Sequence, residues 1–392
     1  MYFVEKIKGK NYLKFFDLPL FAAVLALTII GMIVLGSAVR AMENPQYYIS
    51  RQTAGIIIGI IAALVIAFID YGDLRTLGIF FYIGCAALLV AVLFIGTGEQ
   101  EWGSRSWIYF SFIRLSIQPS EFAKIAFIIL SSMFLERISE GMDIKFNILK
   151  LTVYSGLVIF LIMMQPDLGT AMVFIFIFIV LVFVSGIKYR YIAAAFLSFA
   201  AFSPLAWLFV LKDHQKQRIL TFLFPASASA SDEAFQLIRS IMAIGSGQIF
   251  GKGLFRGIQT QNNRVPVKES DFIYTVIGEE LGFAGSILIL AIIFFILLKC
   301  IYIARTAADR YGSYLAAGVA ALYGFHFTEN IGMCLGLLPI TGIPLPFISY
   351  GATAMITNYM ALGIVMSVSM RRNMTFFGGK AGQLQNSSVK GF

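Results

Sequence analysis

Long apolar runs separated by short polar stretches recur along the whole 392-residue chain. Most are close to the roughly 20 residues that a helix needs to cross a bilayer. They predict ten membrane-spanning helices, at 18–38, 54–70, 77–95, 119–135, 148–164, 169–186, 191–211, 272–300, 313–333 and 350–369. One long connection, 212–271, interrupts the series. The runs lack the polar alternation of barrel strands, so the pattern predicts an all-α polytopic membrane protein.

Positive charge predicts the orientation of these helices. Seventeen lysines and arginines fall in segments on the side of the N-terminus, whereas the short loops of the other side carry only Arg40, Arg51, Arg105 and Arg114. Because positive loops stay inside, both termini are expected in the cytoplasm and the 212–271 loop outside. We expect residues 1–392 to form a single membrane domain, with a flexible cytoplasmic tail at 373–392.

Composition agrees with a membrane location. Hydrophobic residues make up 59% of the chain and charged residues 13%, whereas soluble domains are about half apolar and a quarter charged. Three cysteines in or beside apolar runs and only two histidines argue against a disulfide framework or a zinc site. The net charge of +9 suits anionic lipid rather than indicating a nucleic-acid partner.

Polar residues gather at the predicted outer ends of the spans. In "IQPSEFAK", Glu121 lies in the first turn of a helix, and Lys124 lies three residues further on the same face. An ionisable residue within a span is a functional candidate by default, although a structural Glu121–Lys124 ion pair explains the motif equally well. In "QPDLGT", Asp167 opens the next helix, where it either caps the helix or faces the same outer cavity.

The stretch "VPVKESDFIYTVIGEELG" places several carboxylates around the start of a span. Asp271 stands at its water-facing mouth, where it either caps the helix or serves as a general base. Glu279 and Glu280 point elsewhere on the helix, so the carboxylates cannot converge, and Glu279 is expected to bond a neighbouring helix. His326 and Glu329, three residues apart, are interpreted as a satisfied interhelical pair.

The long 212–271 loop is basic and contains interleaved apolar positions, which favour helices lying in the membrane interface. Its "GSGQIFGKGLFRG" lacks the spacing of a phosphate loop. Its cations, including Arg218 and Lys252, fit either a solvated surface or a site for a phosphorylated lipid. Further on, "GLLPITGIPLPFISYGAT" cannot continue a helix because of its prolines. Irregular backbone at membrane depth must be buried or line a cavity, which indicates a substrate cavity here.

In this order, "GSRSWI", "QPSEFAK", "QPDLGTA", "HQKQRILTFLFP", "SDFIYTVIGEELG" and "ENIGMCLGLLPITGIPLPFISYG" resemble the motifs of the SEDS family of RodA, FtsW and SpoVE proteins. The resemblance covers essentially the whole span region, and the last span, "ALGIVMSVSM", leans toward the RodA type. Three positions depart from the family pattern. Val267 replaces a glutamate, His214 a tyrosine and Ala352 a glycine.

The resemblance implies a ten-span peptidoglycan glycosyltransferase of the bacterial cytoplasmic membrane. Such an enzyme polymerises lipid II into undecaprenyl-linked glycan outside the membrane, beside a class B penicillin-binding protein that crosslinks the product. By the resemblance, the essential aspartate is Asp271. Other positions that match the family motifs are Arg51, Glu121, Lys124, Asp167 and Arg218. Lys252 is a weaker candidate for a cation that binds the leaving pyrophosphate. The resemblance also implies a divalent cation, Mg²⁺ or Mn²⁺, although the sequence contains no evident ligand cluster.

We expect Asp271 to take the proton of an acceptor sugar hydroxyl during an inverting transfer, while cations stabilise the leaving pyrophosphate. Cell-wall elongation is favoured over division or sporulation. Two alternatives stay open. A lipid II flippase is less favoured because the sequence shows no convincing inverted repeat of the kind that many transporters carry. A non-catalytic scaffold for the penicillin-binding protein would not need Asp271.

Overall fold

The computed structural model describes residues 15–98, 104–110, 115–186, 213–223 and 232–372. This part of the chain contains thirteen α-helices and one antiparallel hairpin of two short strands. In chain order the elements are α1 (Leu18–Val39), α2 (Pro45–Phe68), α3 (Leu74–Ile95), β1 (Ile108–Phe110), β2 (Leu115–Ile117), α4 (Pro119–Ser139), α5 (Ile144–Met163), α6 (Leu168–Val184), α7 (Asp213–Leu223), α8 (Asp232–Ser246), α9 (Ile258–Gln261), α10 (Ile273–Glu280), α11 (Gly282–Arg305), α12 (Arg310–Cys334) and α13 (Ala352–Arg371).

The helical class predicted from the sequence is confirmed. Six of the described helices, namely α1, α2, α3, α5, α11 and α13, are long and apolar enough to cross a membrane by length and composition. Nine of the ten predicted spans coincide with described helices. The predicted span at 191–211 and the predicted tail at 373–392 lie outside the described residues.

Two boundaries differ from the prediction. Helix α2 begins at Pro45 rather than at residue 54, because Asn44 caps it through a bond from the Tyr47 N–H (3.3 Å) and proline suits the first turn. Its first two turns are polar and aromatic, so the apolar pattern does not reveal them. The predicted span at 272–300 is two helices, α10 and α11, which meet at Gly282.

The break between α10 and α11 is held by the loop that precedes it. Gly282 has a φ of +66°, and a Cβ there would lie 2.2 Å from the Gly251 nitrogen. The backbone N–H groups of Lys252 and Gly253 donate to the carbonyls of Glu279 and Glu280, each at 3.0 Å. The loop therefore takes over carbonyls that the broken helix would leave unsatisfied, and Asp271 comes to precede a short, separately anchored helix.

Helices α4, α12 and α13 form the centre of the bundle and are buried along almost their whole length. The surrounding helices expose large apolar side chains outward, such as Phe80 (70% exposed), Phe94 (79%) and Phe294 (62%). So much exposed apolar surface is expected only where the solvent is lipid.

Ion pairs join helix ends at one end of the bundle, which we call the charged end. Arg75 at the start of α3 bonds Glu136 near the end of α4 (2.7 Å), and Asp17 before α1 bonds Lys299 near the end of α11 (2.9 Å). These pairs connect the start of one helix to the finish of another, so the partners in each pair run in opposite directions. The functional candidates gather at the other end.

Helices α2 and α13 approach each other closely because glycines line their contact. A Cβ at Gly55 would lie 2.9 Å from the Ala352 Cα, and one at Gly363 would lie 2.7 Å from the Ala63 carbonyl oxygen. Backbone atoms cannot move aside as a flexible side chain can. In membrane helices such small residues provide the van der Waals contact that drives association.

We therefore expect Gly55→Val to destabilise the protein by about 1–3 kcal/mol through overpacking. The measurement is thermal unfolding of the detergent-purified protein. Gly84→Val is the matched control, because Gly84 lies in the exposed part of α3 with nothing within 4 Å of a Cβ. Equal melting temperatures for the two variants would contradict the close α2–α13 contact.

Candidate active site

A cavity of about 660 Å³ lies at the end of the bundle opposite the charged end. Its wall includes the N-terminal ends of α2, α4, α6 and α13 and the irregular segment between α12 and α13. Six of the seven residues predicted for the site line it, and these are Arg51, Glu121, Lys124, Asp167, Arg218 and Asp271. Lys252 does not.

The irregular segment 335–351 forms one wall of this cavity, and neighbouring side chains satisfy its backbone groups. The Asn330 amide donates to the carbonyls of Ile343 (2.8 Å) and Asp271 (2.7 Å). The Gln52 amide donates to the Ser349 carbonyl (2.9 Å) and accepts from the Gly351 N–H (3.0 Å). These bonds make non-helical backbone tolerable at this depth, as the sequence analysis required.

Ser349 joins the same segment to the residues just before Asp271. Its hydroxyl donates to the Ser270 carbonyl (2.5 Å) and accepts from the Leu345 N–H (2.8 Å). The Tyr350 N–H donates to the Glu269 carbonyl (2.9 Å). The backbone around Asp271 is thus fixed against 345–350 on one side and against Asn330 on the other.

The Asp271 carboxylate lies at the cavity surface rather than on a helix end. It does not cap α10, whose N-cap position is Phe272 without a side-chain bond, so the capping alternative is wrong. A Cβ at Gly342 would lie only 3.3 Å from the Asp271 Oδ2 atom, so a residue without a side chain keeps this face open.

Burial raises the pKa of Asp271 to about 6. The hydrogen bond from Ser270 and the positive charge of Arg218 lower it, while the negative charges of Glu269 and Asp167 raise it. The value is well above that of an exposed aspartate and suits a base that works near neutral pH.

Asp167 has the capping role that was one of its two predicted alternatives. It is the N-cap of α6, where it accepts from the Thr170 N–H (3.0 Å) and hydroxyl (2.9 Å) and from the Ser106 hydroxyl (3.3 Å). It also lines the cavity. Asp167 therefore both caps α6 and lines the cavity, and its negative charge lies in the same cavity as that of Asp271.

Glu121 and Lys124 form the predicted ion pair, with 2.7 Å between the ammonium and Glu121 Oε1. The other oxygen, Oε2, accepts from the Thr357 hydroxyl (3.1 Å). Lys124 has a second partner that the sequence did not indicate, His326 Nε2 at 3.1 Å. Both side chains are buried, and the lysine still lines the cavity.

The predicted pairing of His326 with a neighbouring helix is only partly right. His326 lies between Lys124 and the Pro344 carbonyl (3.3 Å), so it connects α4 to the irregular wall. Glu329 instead accepts from the Thr341 hydroxyl (3.0 Å). The two residues are therefore not a common pair. The available signal for His326 was an ionisable residue inside a predicted span.

Lys252 belongs to a different group of residues, in and beneath the loop that precedes Asp271. Its ammonium lies 3.4 Å from Glu279, which is fully buried. Glu279 also accepts the backbone N–H groups of Gln259 (2.8 Å) and Thr260 (2.9 Å). The partner of Glu279 is thus the start of α9 and the loop, not a long neighbouring helix. The assignment of Lys252 to the cavity is corrected accordingly.

Glu280 completes this group, which we call the loop anchor: Glu279, Glu280 and their partners. Glu280 accepts from the Ser37 hydroxyl (2.8 and 2.6 Å), the Gln261 amide (2.9 Å) and the N–H groups of Phe255 (2.9 Å) and Gly257 (3.3 Å). The buried Lys268 ammonium donates to the Thr260 carbonyl and to the Asn263 side chain (2.7 Å). The anchor ties α1 and α10 to the loop that leads to Asp271.

The family model described as "Cell cycle protein" (FtsW, RodA and SpoVE) matches residues 18–374. The chain belongs to this family. The resemblance stated from the sequence motifs is thereby confirmed.

Individual relatives of this FtsW/RodA/SpoVE chain match over nearly their full lengths. Peptidoglycan glycosyltransferase MrdB of Escherichia coli K12 is 34% identical over 366 residues, which are 91% of this chain and 94% of the relative. Stage V sporulation protein E of Bacillus subtilis 168 is 36% identical over 361 residues, 90% of this chain and 96% of the relative. Among solved structures, a chain from a study of how a peptidoglycan synthase complex coordinates polymerization and crosslinking superposes with a TM-score of 0.76 at 29% identity. That match covers 91% of this chain and 98% of the other.

Two of the departures from the family pattern have visible surroundings. Ala352 opens α13 against Gly55, so the added methyl group faces a residue that has no side chain. Val267 adopts a φ of +50°, a conformation that a β-branched residue rarely takes. It directly precedes Lys268, whose ammonium is held in the loop anchor.

The side chains of the site bear on whether it could hold a metal ion. Within the described ranges no group of three His, Cys, Asp or Glu residues is placed to hold one. Magnesium is often held by one or two carboxylates together with substrate phosphates. The divalent cation implied by the resemblance therefore stays a prediction.

The loop anchor gives a prediction about stability. We expect Glu280→Ala to leave several buried donors unsatisfied, at about 1–3 kcal/mol for each, and to loosen the loop. Limited proteolysis and thermal unfolding measure the two effects. Glu43→Ala is the control, because Glu43 is exposed. A Glu280→Ala protein as protease-resistant and as stable as the control would show that the anchor does not hold the loop.

Proposed function

We propose that the protein is a peptidoglycan glycosyltransferase that polymerises lipid II at the outer face of the bacterial cytoplasmic membrane. One observation carries the proposal. A carboxylate with a pKa of about 6, Asp271, shares one cavity with three cationic side chains, in a chain of the FtsW/RodA/SpoVE family. The predicted enzyme class agrees with the names of relatives such as MrdB.

The proposed topology has ten spans, cytoplasmic termini and the 212–271 loop outside. The distribution of positive charge supports it. The helix ends that this topology puts on the cytoplasmic side are those that meet at the charged end, as in Arg75–Glu136 and Asp17–Lys299. The cavity then opens on the extracytoplasmic side. The RodA-like last span supports a role in elongation.

In the proposed reaction, ionised Asp271 accepts the proton of the acceptor sugar's 4-hydroxyl as that oxygen attacks the anomeric carbon of the growing strand. The bond from the anomeric carbon to the undecaprenyl pyrophosphate breaks, and configuration inverts. A positioned carboxylate base of this kind contributes roughly 10²–10⁴ in rate. Burial keeps Asp271 basic enough to act. The hydrogen bond from Ser270 and the charge of Arg218 limit the rise in its pKa, so that the carboxylate is still ionised at neutral pH.

The leaving pyrophosphate needs cations, and three line the cavity. Arg51 and Arg218 offer guanidinium groups, which bind phosphate through two parallel bonds. The Nε of Arg218 has no hydrogen-bond partner in the described part of the chain. Lys124 is already bonded to Glu121 and His326, so we assign it to orienting one phosphate oxygen rather than to neutralising the whole group.

We also propose a class B penicillin-binding protein as the partner. The resemblance implies it, and the similarity to a chain of a peptidoglycan synthase complex supports it. In such a pair the partner crosslinks the strands that this chain makes.

The deciding experiment is polymerisation of labelled lipid II by wild type and Asp271→Asn, each purified with a transpeptidase-dead partner. We expect long glycan from wild type and none from the variant. Asparagine resembles the protonated acid that the buried site favours, so the variant should be at least as stable as wild type at pH 7.5.

Each other outcome has a distinct meaning. Equal polymer from both proteins would remove Asp271 as the base and leave Asp167 and Glu121 as the carboxylates to test. Lipid II crossing liposomes without polymer would indicate a flippase. Neither transport nor polymer, with the partner still bound, would indicate a scaffold.

The raised pKa of Asp271 predicts the pH dependence of the reaction. Only the ionised form can accept a proton, so kcat/KM should fall about tenfold per pH unit below pH 6 and level off above it. Initial rates between pH 4.5 and 8 with subsaturating lipid II measure this. A profile that is flat from pH 5 to 7 would contradict the assignment of Asp271 as the base.

A further inference from the structure

Tyr350, which the sequence analysis did not select, is held more firmly than its place in an irregular segment would suggest. One side chain, Gln52, bonds the peptide groups on both sides of it, through the Ser349 carbonyl (2.9 Å) and the Gly351 N–H (3.0 Å). Its own N–H donates to the Glu269 carbonyl (2.9 Å). These three bonds fix the Tyr350 backbone opposite Glu269, which lies two residues before Asp271 in the sequence.

The Tyr350 ring belongs to an aromatic group at the cavity wall. Its centroid lies 5.0 Å from that of Tyr48 in an edge-to-face arrangement, and Tyr48 lies 5.6 Å from Tyr47 in the same way. The Arg51 guanidinium stands 4.6 Å from the Tyr47 ring. All four side chains line the cavity, and both Tyr48 and Tyr350 keep part of their surface accessible.

Charges of both signs lie beside these rings. The Arg51 guanidinium and the Glu269 carboxylate both act electrostatically on Tyr350, and Glu269 also acts on Tyr48. Glu269 lines the cavity, and its Oε2 has no hydrogen-bond partner in the described residues. A neutral group that carries hydroxyl donors and one apolar face would be complementary to an aromatic ring beside a carboxylate.

We propose that Tyr350 and Tyr48 form a platform for the apolar face of a sugar ring of the substrate, with Glu269 accepting from one of its hydroxyls. This inference rests on the proposed function, because the sugar would be one that reacts beside Asp271. Tyr350 is thus a binding residue that sets the distance between the sugar ring and the Asp271 carboxylate. Gln52 is the positioning residue that holds Tyr350. Arg51 lies at the Tyr47 end of the aromatic group, and we expect the anionic part of the substrate to begin there.

The test is a binding measurement in the Asp271→Asn protein, which separates affinity from turnover. Two probes are compared, fluorescent lipid II and undecaprenyl pyrophosphate, which carries no sugar. We expect Tyr350→Leu to weaken lipid II binding about tenfold and to change undecaprenyl pyrophosphate binding by less than twofold. Tyr350→Phe, which keeps the ring face, should bind lipid II within about threefold of the parent protein.

Tyr302→Leu is the matched control. Tyr302 lies on α11, is 52% exposed and stands 5.5 Å from Arg372, but it does not line the cavity. An interfacial tyrosine that only anchors the protein in the membrane would behave like this control. We expect Tyr302→Leu to bind both probes as the parent does.

Three results would overturn the platform. Loss of both probes to the same degree would assign Tyr350 to the lipid or pyrophosphate. Loss in Tyr350→Phe as large as in Tyr350→Leu would show that the hydroxyl acts rather than the ring. Unchanged lipid II binding in a Tyr350→Leu protein that melts like the parent would remove the residue from the site. If wild type makes no polymer while the sugar-dependent difference persists, the platform stands and the transferase assignment fails.

Discussion

The site depends on a backbone constraint. Residues 335–351 form no regular helix at the end of a bundle, where unsatisfied peptide groups are costly. The amides of Gln52 and Asn330 and the hydroxyl of Ser349 supply the missing partners. The same three side chains bond residues 270–271 or the peptides around Tyr350. The interactions that satisfy the backbone groups of the irregular wall are therefore the same ones that fix the position of Asp271.

The buried charges divide into two groups with different tasks. Beneath the loop, Glu279 and Glu280 accept hydrogen bonds from the loop backbone and from Gln261. In the cavity, by contrast, the Asp271 carboxylate lines the wall, and burial raises its pKa to about 6. The adjacent carboxylates of this one motif thus differ in role because the loop covers the first group and leaves the second uncovered.

Much of the fold was predictable because apolar runs report membrane helices directly. The start of α2 was missed because its first turns are polar. The break at Gly282 was missed because the carbonyls freed there bond a loop 27 residues earlier in the chain. The cavity set was found from polar residues at helix mouths, but Lys124–His326 joins residues 202 apart in sequence. Contacts of that kind have no local signal. Lys252 was misplaced for the same reason, since its partner Glu279 is set by how the loop folds back.

Charge within the cavity follows from these placements. The described lining carries four carboxylates, Glu121, Asp167, Glu269 and Asp271, and three cations, Arg51, Lys124 and Arg218. Glu121 is bonded to Lys124, and Asp167 is bonded to the start of α6, so Glu269 and Asp271 are the carboxylates with the most freedom to act. Burial raises the pKa of Asp271, and the charge of Arg218 lowers it. In the proposed reaction, the base and a cation that can bind the leaving pyrophosphate therefore act within the same part of the cavity.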